Sequence, residues 1–115
     1  MGSSINWPTT YRICSRDWTI TYVDRLKDDD AEDPEDRDND LLGCCDSTRS
    51  EITISKRQGV ESMKDTLAHE IMHAVYSTMP GVNHDDVEAE ENFVLAATIM
   101  FYEIVRNADC PWWDK

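Results

Sequence analysis

The stretch Asp65-Thr66-Leu67-Ala68-His69-Glu70-Ile71-Met72-His73-Ala74 decides how the rest of this chain is read. At about 100° per residue, Leu67, Ile71, Ala74 and Val75 gather on one side of a helix, while His69, His73 and Tyr76 gather on the opposite side. Ser62-Met63-Lys64-Asp65 has the form of a capping box with Asp in place of Glu or Gln, and Pro80-Gly81 stops the helix. The spacing therefore predicts a helix from about Ser62 to Thr78, with one face for packing and one for chemistry.

The second face carries H-E-x-x-H. Positions i and i+4 lie one turn apart, so the imidazoles of His69 and His73 project together and can hold one zinc ion at about 2.0–2.1 Å. Glu70, about 100° round the helix, stands beside the metal rather than on it, placed to take a proton from a water that the metal acidifies. A catalytic site of this kind needs a third protein ligand and an open fourth position. Val87 to Val105 reads as a second long helix with core positions Phe93, Val94, Ala97, Phe101 and Ile104, all within about 60° of Glu90. A carboxylate on that apolar face needs a cation to compensate it, which makes Glu90 the expected third ligand. Glu91 and Glu88, about 100° and 160° away, are expected to face solvent. His84, in the polar loop between the helices, is a solvated residue, an alternative ligand or an oxyanion donor. Tyr76 is a wall of the site or a donor to a tetrahedral intermediate.

Ahead of the helices the pattern is β. Ile13, Trp18, Ile20, Tyr22 and Val23 sit among polar residues and read as two short strands or one bent strand. Asp46-Ser47-Thr48-Arg49-Ser50 is a cluster of turn formers between Leu42-Gly43-Cys44-Cys45 and the strictly alternating Glu51-Ile52-Thr53-Ile54-Ser55. This predicts a hairpin whose second strand buries Ile52 and Ile54. The expected fold class is α+β: a small, mostly antiparallel sheet of three or four strands packed on the H-E-x-x-H helix and a second ligand-bearing helix.

A chain of 115 residues with 40% hydrophobic residues supports one core, hence one domain. Its formal charge is −13, which argues against a nucleic-acid partner. Residues 28–40 hold nine carboxylates and a single base, Arg37, with no apolar residue between Ala31 and Leu41, so they are expected to form a mobile acidic loop outside the core. That loop lacks the alternating Asp pattern of a calcium-binding loop. The longest nearly apolar run, Phe93 to Tyr102, is half the length of a membrane span, which takes about 20 residues. No secretory signal is visible at the N-terminus, and the expected compartment is the cytoplasm. Cys14, Cys44, Cys45 and Cys110 lack C-x-x-C spacing, and a disulfide between the adjacent Cys44 and Cys45 would be strained, so reduced thiols are expected. The tail carries an unusual pair, Trp112-Trp113.

The hairpin around Gly43-Cys44-Cys45-Asp46, the strand Glu51-Ile52-Thr53-Ile54-Ser55, the segment Asp65 to Ala74 and Glu90-Glu91-Asn92-Phe93 together resemble the small zincin domains of phage and prophage genomes. These are akin to ImmA/IrrE-type metallopeptidases and, more distantly, to SprT-like ones. The resemblance spans roughly Tyr11 to Asn107. It implies zinc held by His69, His73 and Glu90, with Glu70 as general base, and hydrolysis of a protein or peptide substrate. It also implies that the strand before the active-site helix, Glu51 to Ser55, borders the cleft and offers its edge to an extended peptide. The acidic insertion at 28–40 is longer than the family's pattern provides. Two rivals compete with the peptidase. One is a non-catalytic module that zinc staples together and whose acidic loop binds a basic partner or mimics DNA. The other is a metal-free inhibitor or assembly factor.

Overall fold

Along Arg16–Val23 the side chains of Trp18 and Ile20 turn inward and those of Asp17, Thr19 and Thr21 turn outward, and this period-two alternation sets the main sheet. The computed structural model describes residues 6–28 and 33–106. Strand β1 (Thr10–Ile13) pairs antiparallel with β2 (Arg16–Val23). Their two-residue turn, Cys14-Ser15, has φ of 50° and 69°, the doubly left-handed form that matches the twist of a tight hairpin. The expected choice between two strands and one bent strand thus resolves as a hairpin.

After β2 come the short strands β3 (Leu26–Lys27) and β4 (Asp40–Leu41), which pair with each other, and a 3-10 turn at Pro34–Asp38 between them. The expected structureless tract therefore has a closed base: Leu26 faces Leu41, Lys27 faces Asp40, and the Asp28 N–H donates to the Asn39 carbonyl at 3.0 Å. Arg25 holds Asp40 at 2.5 Å. Residues 29–32 of the tract, Cys110 and the Trp112-Trp113 pair lie outside the described residues.

The hairpin of β5 (Gly43–Asp46) and β6 (Glu51–Ser55) is as expected, with Ile52 and Ile54 fully buried. In the sheet order β1-β2-β6-β5, β6 is central: it pairs parallel with β2 and antiparallel with β5. Glu51 to Ser55 consequently has no edge to offer, a correction to the expectation above. The edge strand on that side is β5, because the long connection after β2 returns the chain to β2's side one strand late.

Helix α1 (Val60–Thr78) lies on this sheet. Leu67, Ile71 and Ala74 from the helix meet Ile13, Trp18, Ile20, Ile52 and Ile54 in a single cluster. At about 25 cal/mol per Å² of apolar surface removed from water, this layer is the main stabilising term. The capping box does not form. The helix begins two residues earlier, behind Gly59, with no side-chain cap, and the Ser62 hydroxyl donates to Gln58 Oε1 at 2.5 Å. Helix α2 (Val87–Arg106) packs antiparallel on α1, as shown by the pairing of His73 with Glu90 near one end and of Tyr102 with Asp65 near the other. Among the expected α2 core positions, Val94 is fully buried and Phe101 packs on the core margin, but Ile104 is 64% exposed. Apolar residues surround α2, so their average direction does not point at the core. The packed stripe is centred between Val94 and Thr98, about 60° from Glu90. No helix among the described residues is long and apolar enough to cross a membrane.

Candidate metal centre

His69 and His73 project from α1 where α2 and β5 both approach it. Their rings meet edge to face with centroids 4.7 Å apart, and their Nε2 atoms are 3.1 Å apart. Two ligands on a tetrahedral ion with bonds of about 2.0–2.1 Å stand about 3.3 Å apart, so the pair has the spacing that zinc requires. The carboxylate that joins the pair is that of Glu91: its Oε1 lies 3.5 Å from His73 Nε2, and one donor atom from each of His69, His73 and Glu91 falls within 4.8 Å of the others. Two nitrogens and one oxygen at this separation could hold a metal ion.

Glu90, the third ligand expected from helical phase, is on the other side of His73. Its Oε2 is 2.5 Å from Nδ1. A carboxylate there keeps the proton on Nδ1 and leaves the Nε2 lone pair facing the cluster, the tautomer that a metal needs. The α2 contact stripe explains the reversal. With the stripe centred near Val94 and Thr98, Glu90 and Glu91 flank it at about −60° and +40°, and both reach His73, one at each nitrogen. Glu91 is half-exposed, as its phase from Glu90 predicts, and its carboxylate still reaches the cluster.

Burial lowers the affinity of His69 for a proton, His73 beside it lowers it further, and Glu91 only partly opposes this. A neutral imidazole is the ligand form. Glu70 is 8% exposed and makes no hydrogen bond or ion pair among the described residues. Burial pushes its carboxyl up from 4.5 to about 7; His73 opposes the shift, and Glu91 and Glu90 add to it. The group is thus poised near neutrality rather than held as an ordinary carboxylate.

Gly43 explains how β5 comes so near. A Cβ there would meet Thr66 Cγ2 at 2.5 Å, Glu70 Cγ at 3.1 Å and Glu70 Oε2 at 3.2 Å, so only glycine lets the strand close over the helix. Two cavities open along this seam, and Glu70 lines both. One, of about 360 Å³, is bounded by Leu42, Gly43, Asp65, Thr66 and His69. The other, of about 310 Å³, is bounded by Cys45, Ser47, His73, Ser77, His84 and Glu90. The shared Glu70 makes them one groove along β5, with His69 on the lining of the first and His73 on that of the second.

His84 is exposed and outside the cluster, yet it lines the second cavity and rests edge-on against Tyr76 at 5.7 Å. Tyr76 itself is 4% exposed, packed between His84 and Phe93, with its hydroxyl donating to the Asn83 carbonyl at 3.4 Å. It is a buried wall. Cys45, which the sequence did not mark, faces the groove as a thiol whose pKa burial and the neighbouring Glu70 raise to about 12, so it is not a thiolate nucleophile. Compared with known proteins, the chain matches no family model, no curated protein and no solved structure.

Proposed function

We propose that this chain is a zinc-dependent peptide hydrolase in which His69, His73 and Glu91 hold the metal and Glu70 is the general base. The observation that carries this reading is the convergence of two imidazole Nε2 atoms and one carboxylate oxygen beside a buried carboxylate that has no partner among the described residues. Two imidazoles and a carboxylate are the donor set of catalytic zinc sites, which keep a position open. When bound, the ion acidifies a water and polarises a carbonyl. Glu90 fixes the tautomer and orientation of His73. Glu70 accepts the proton of the attacking water and delivers it to the departing amine, a role that suits a group titrating near neutrality.

The edge of β5 supplies a way to hold the substrate. Ser55 N–H donates to the Leu42 carbonyl, and the antiparallel alternation that follows turns the main-chain groups of Gly43 and Cys45 away from β6 and over the groove. An extended peptide joins there as a further strand and crosses the metal cluster. The resemblance to small zincins supports the same reading. A zinc-stapled binding module accounts for the charge of −13, but gives Glu70 no reason to be buried with no partner among the described residues.

The test has two parts. Protein purified without added metal should contain one zinc per chain. Glu70→Gln should keep the zinc and the fold while lowering hydrolysis, read as new peptide termini in a cell lysate, by about 100-fold or more. If termini formed by the wild type persist unchanged in Glu70→Gln, the general base is misassigned. If the wild type forms none, the binding module takes its place.

A further inference from the structure

The groove carries more negative charge than its metal can neutralise. Glu70, Glu90 and Glu91 all approach the two histidines, and a divalent ion cancels two of the three carboxylates. Among the described residues, no lysine or arginine lines either cavity. Arg12, Arg25, Arg49, Lys56, Arg57 and Lys64 are engaged with carboxylates elsewhere. The basic groups on the second cavity's lining are the imidazoles of His73 and His84, and His73 is already committed to Glu90. Glu70 is more than nine-tenths buried, opens into this cavity and has no hydrogen-bond partner among the described residues.

From this we infer that the groove takes peptides with a lysine or arginine side chain next to the bond over the metal cluster, the cation entering the cavity lined by Glu70, Glu90, Ser47 and Ser77. The inference rests on the hydrolase reading for the place of the bond, but the recognition is a matter of charge and space. A cavity of about 310 Å³ is within the range that admits a side chain of this size. Its low-dielectric walls strengthen the attraction of an unneutralised carboxylate for an ammonium or guanidinium group. The first cavity, bounded by Leu42, Gly43 and Thr66, has Asp65 at its side, but that carboxylate accepts a hydrogen bond from Tyr102. The preference is placed on the Glu90 side because that cavity sets the hydroxyls of Ser47 and Ser77 beside its two carboxylates, whereas the first is bounded by Leu42 and Gly43.

Zinc-loaded wild-type protein, its Glu70 carboxylate intact, is titrated in freshly mixed samples at low temperature with fluorescein-labelled alanine-rich octapeptides carrying one Lys, Arg, Ala or Glu at each central position. Glu70→Gln, which removes one of the three carboxylates, should narrow the differences between the peptides. The assay is read by polarisation at pH 8, where an ordinary imidazole is neutral. The Lys and Arg peptides should bind at least ten-fold more tightly than the Glu peptides at one position, and the gap should shrink as salt is raised. Ser47→Lys, a change in an exposed turn, should reverse the order with zinc content unchanged. Equal or tighter binding of the Ala or Glu peptides, or no saturable binding by any, overturns the inference. Charge-ordered binding with no cleavage of the same peptides by the wild type would sink the hydrolase reading and leave the basic-peptide groove standing.

Discussion

Helices α1 and α2 are almost the same length, 19 and 20 residues, but they are built on different principles. Helix α1 divides its circumference: Leu67, Ile71 and Ala74 vanish into the sheet, and His69 and His73 meet the groove. Helix α2 is apolar nearly all round. It covers α1 with a stripe about Val94 and leaves Leu95, Ile99, Met100 and Ile104 each at least 60% exposed. The comparison teaches that a hydrophobic pattern reports the direction of the core only when the opposite face is polar.

The largest effects should come from the donor atoms that the two helices contribute. His73→Ala on α1 and Glu91→Ala on α2 should each abolish stoichiometric zinc in protein purified by gel filtration. Glu90→Gln should weaken zinc by about 10- to 100-fold, the range for a partner that orients a ligand. If Glu90→Gln strips the metal while Glu91→Ala retains it, the two acids have been assigned to the wrong sides of His73. Next come the packing faces. Leu67→Ala should lower stability by about 3 kcal/mol in urea titration, whereas Ile104→Ala, at an exposed site, should stay within about 0.5 kcal/mol. A large loss at Ile104 would show that α2 is covered in solution.

Glu70 gives a pH dependence whose sign differs from that of a salt-bridged acid. Its folded pKa of about 7 lies above the ordinary 4.5, so the folded, metal-free protein holds this proton more tightly than the unfolded chain. Its contribution is fully present below about pH 4.5 and is lost as the pH rises through 7, a change of about 3 kcal/mol in metal-free protein. Wild type minus Glu70→Gln, both treated with chelator, should show this slope between pH 5 and 7, and a flat difference would refute it. The smallest effect belongs to the acidic tract. Replacing residues 29–38 with a short Gly/Ser linker, which leaves Asp28, Asn39 and Asp40 in place, should shift stability by about 0.5 kcal/mol, the order of the loop-closure term.

The sheet-facing side of α1 and the β5–β6 hairpin were legible because their residues alternate or recur cleanly: Ile52 and Ile54 on one strand face, Leu67, Ile71 and Ala74 on one helix face. The β1–β2 turn was ambiguous because Cys14-Ser15 adopts left-handed backbone without the glycine or asparagine that ordinarily announces it. The histidines and Glu70 were legible from spacing within one helix, where the geometry is fixed by covalent connection. Glu91 was not, because the choice between it and Glu90 depends on the rotation of α2 about its axis, which is set by tertiary packing. Nor was the role of Gly43 in the groove, since the neighbours that forbid a side chain there, Thr66 and Glu70, come from a different element.

The parallel pairing of β2 with β6 bears on the order in which the molecule assembles. Contacts within 43–78, from β5 through β6 to α1, are local and bring Gly43, His69, Glu70 and His73 together without the rest of the chain. Joining Thr19 to Glu51 instead requires closing the segment that holds the acidic tract, an entropic cost met before the ladder forms. The small β3–β4 ladder acts as a clasp on that segment, drawing Leu26 to Leu41 and shortening the distance the chain must search. Most of the candidate metal site thus lies within one short-range segment, and the pairing of β2 with β6 is the long-range step of the sheet.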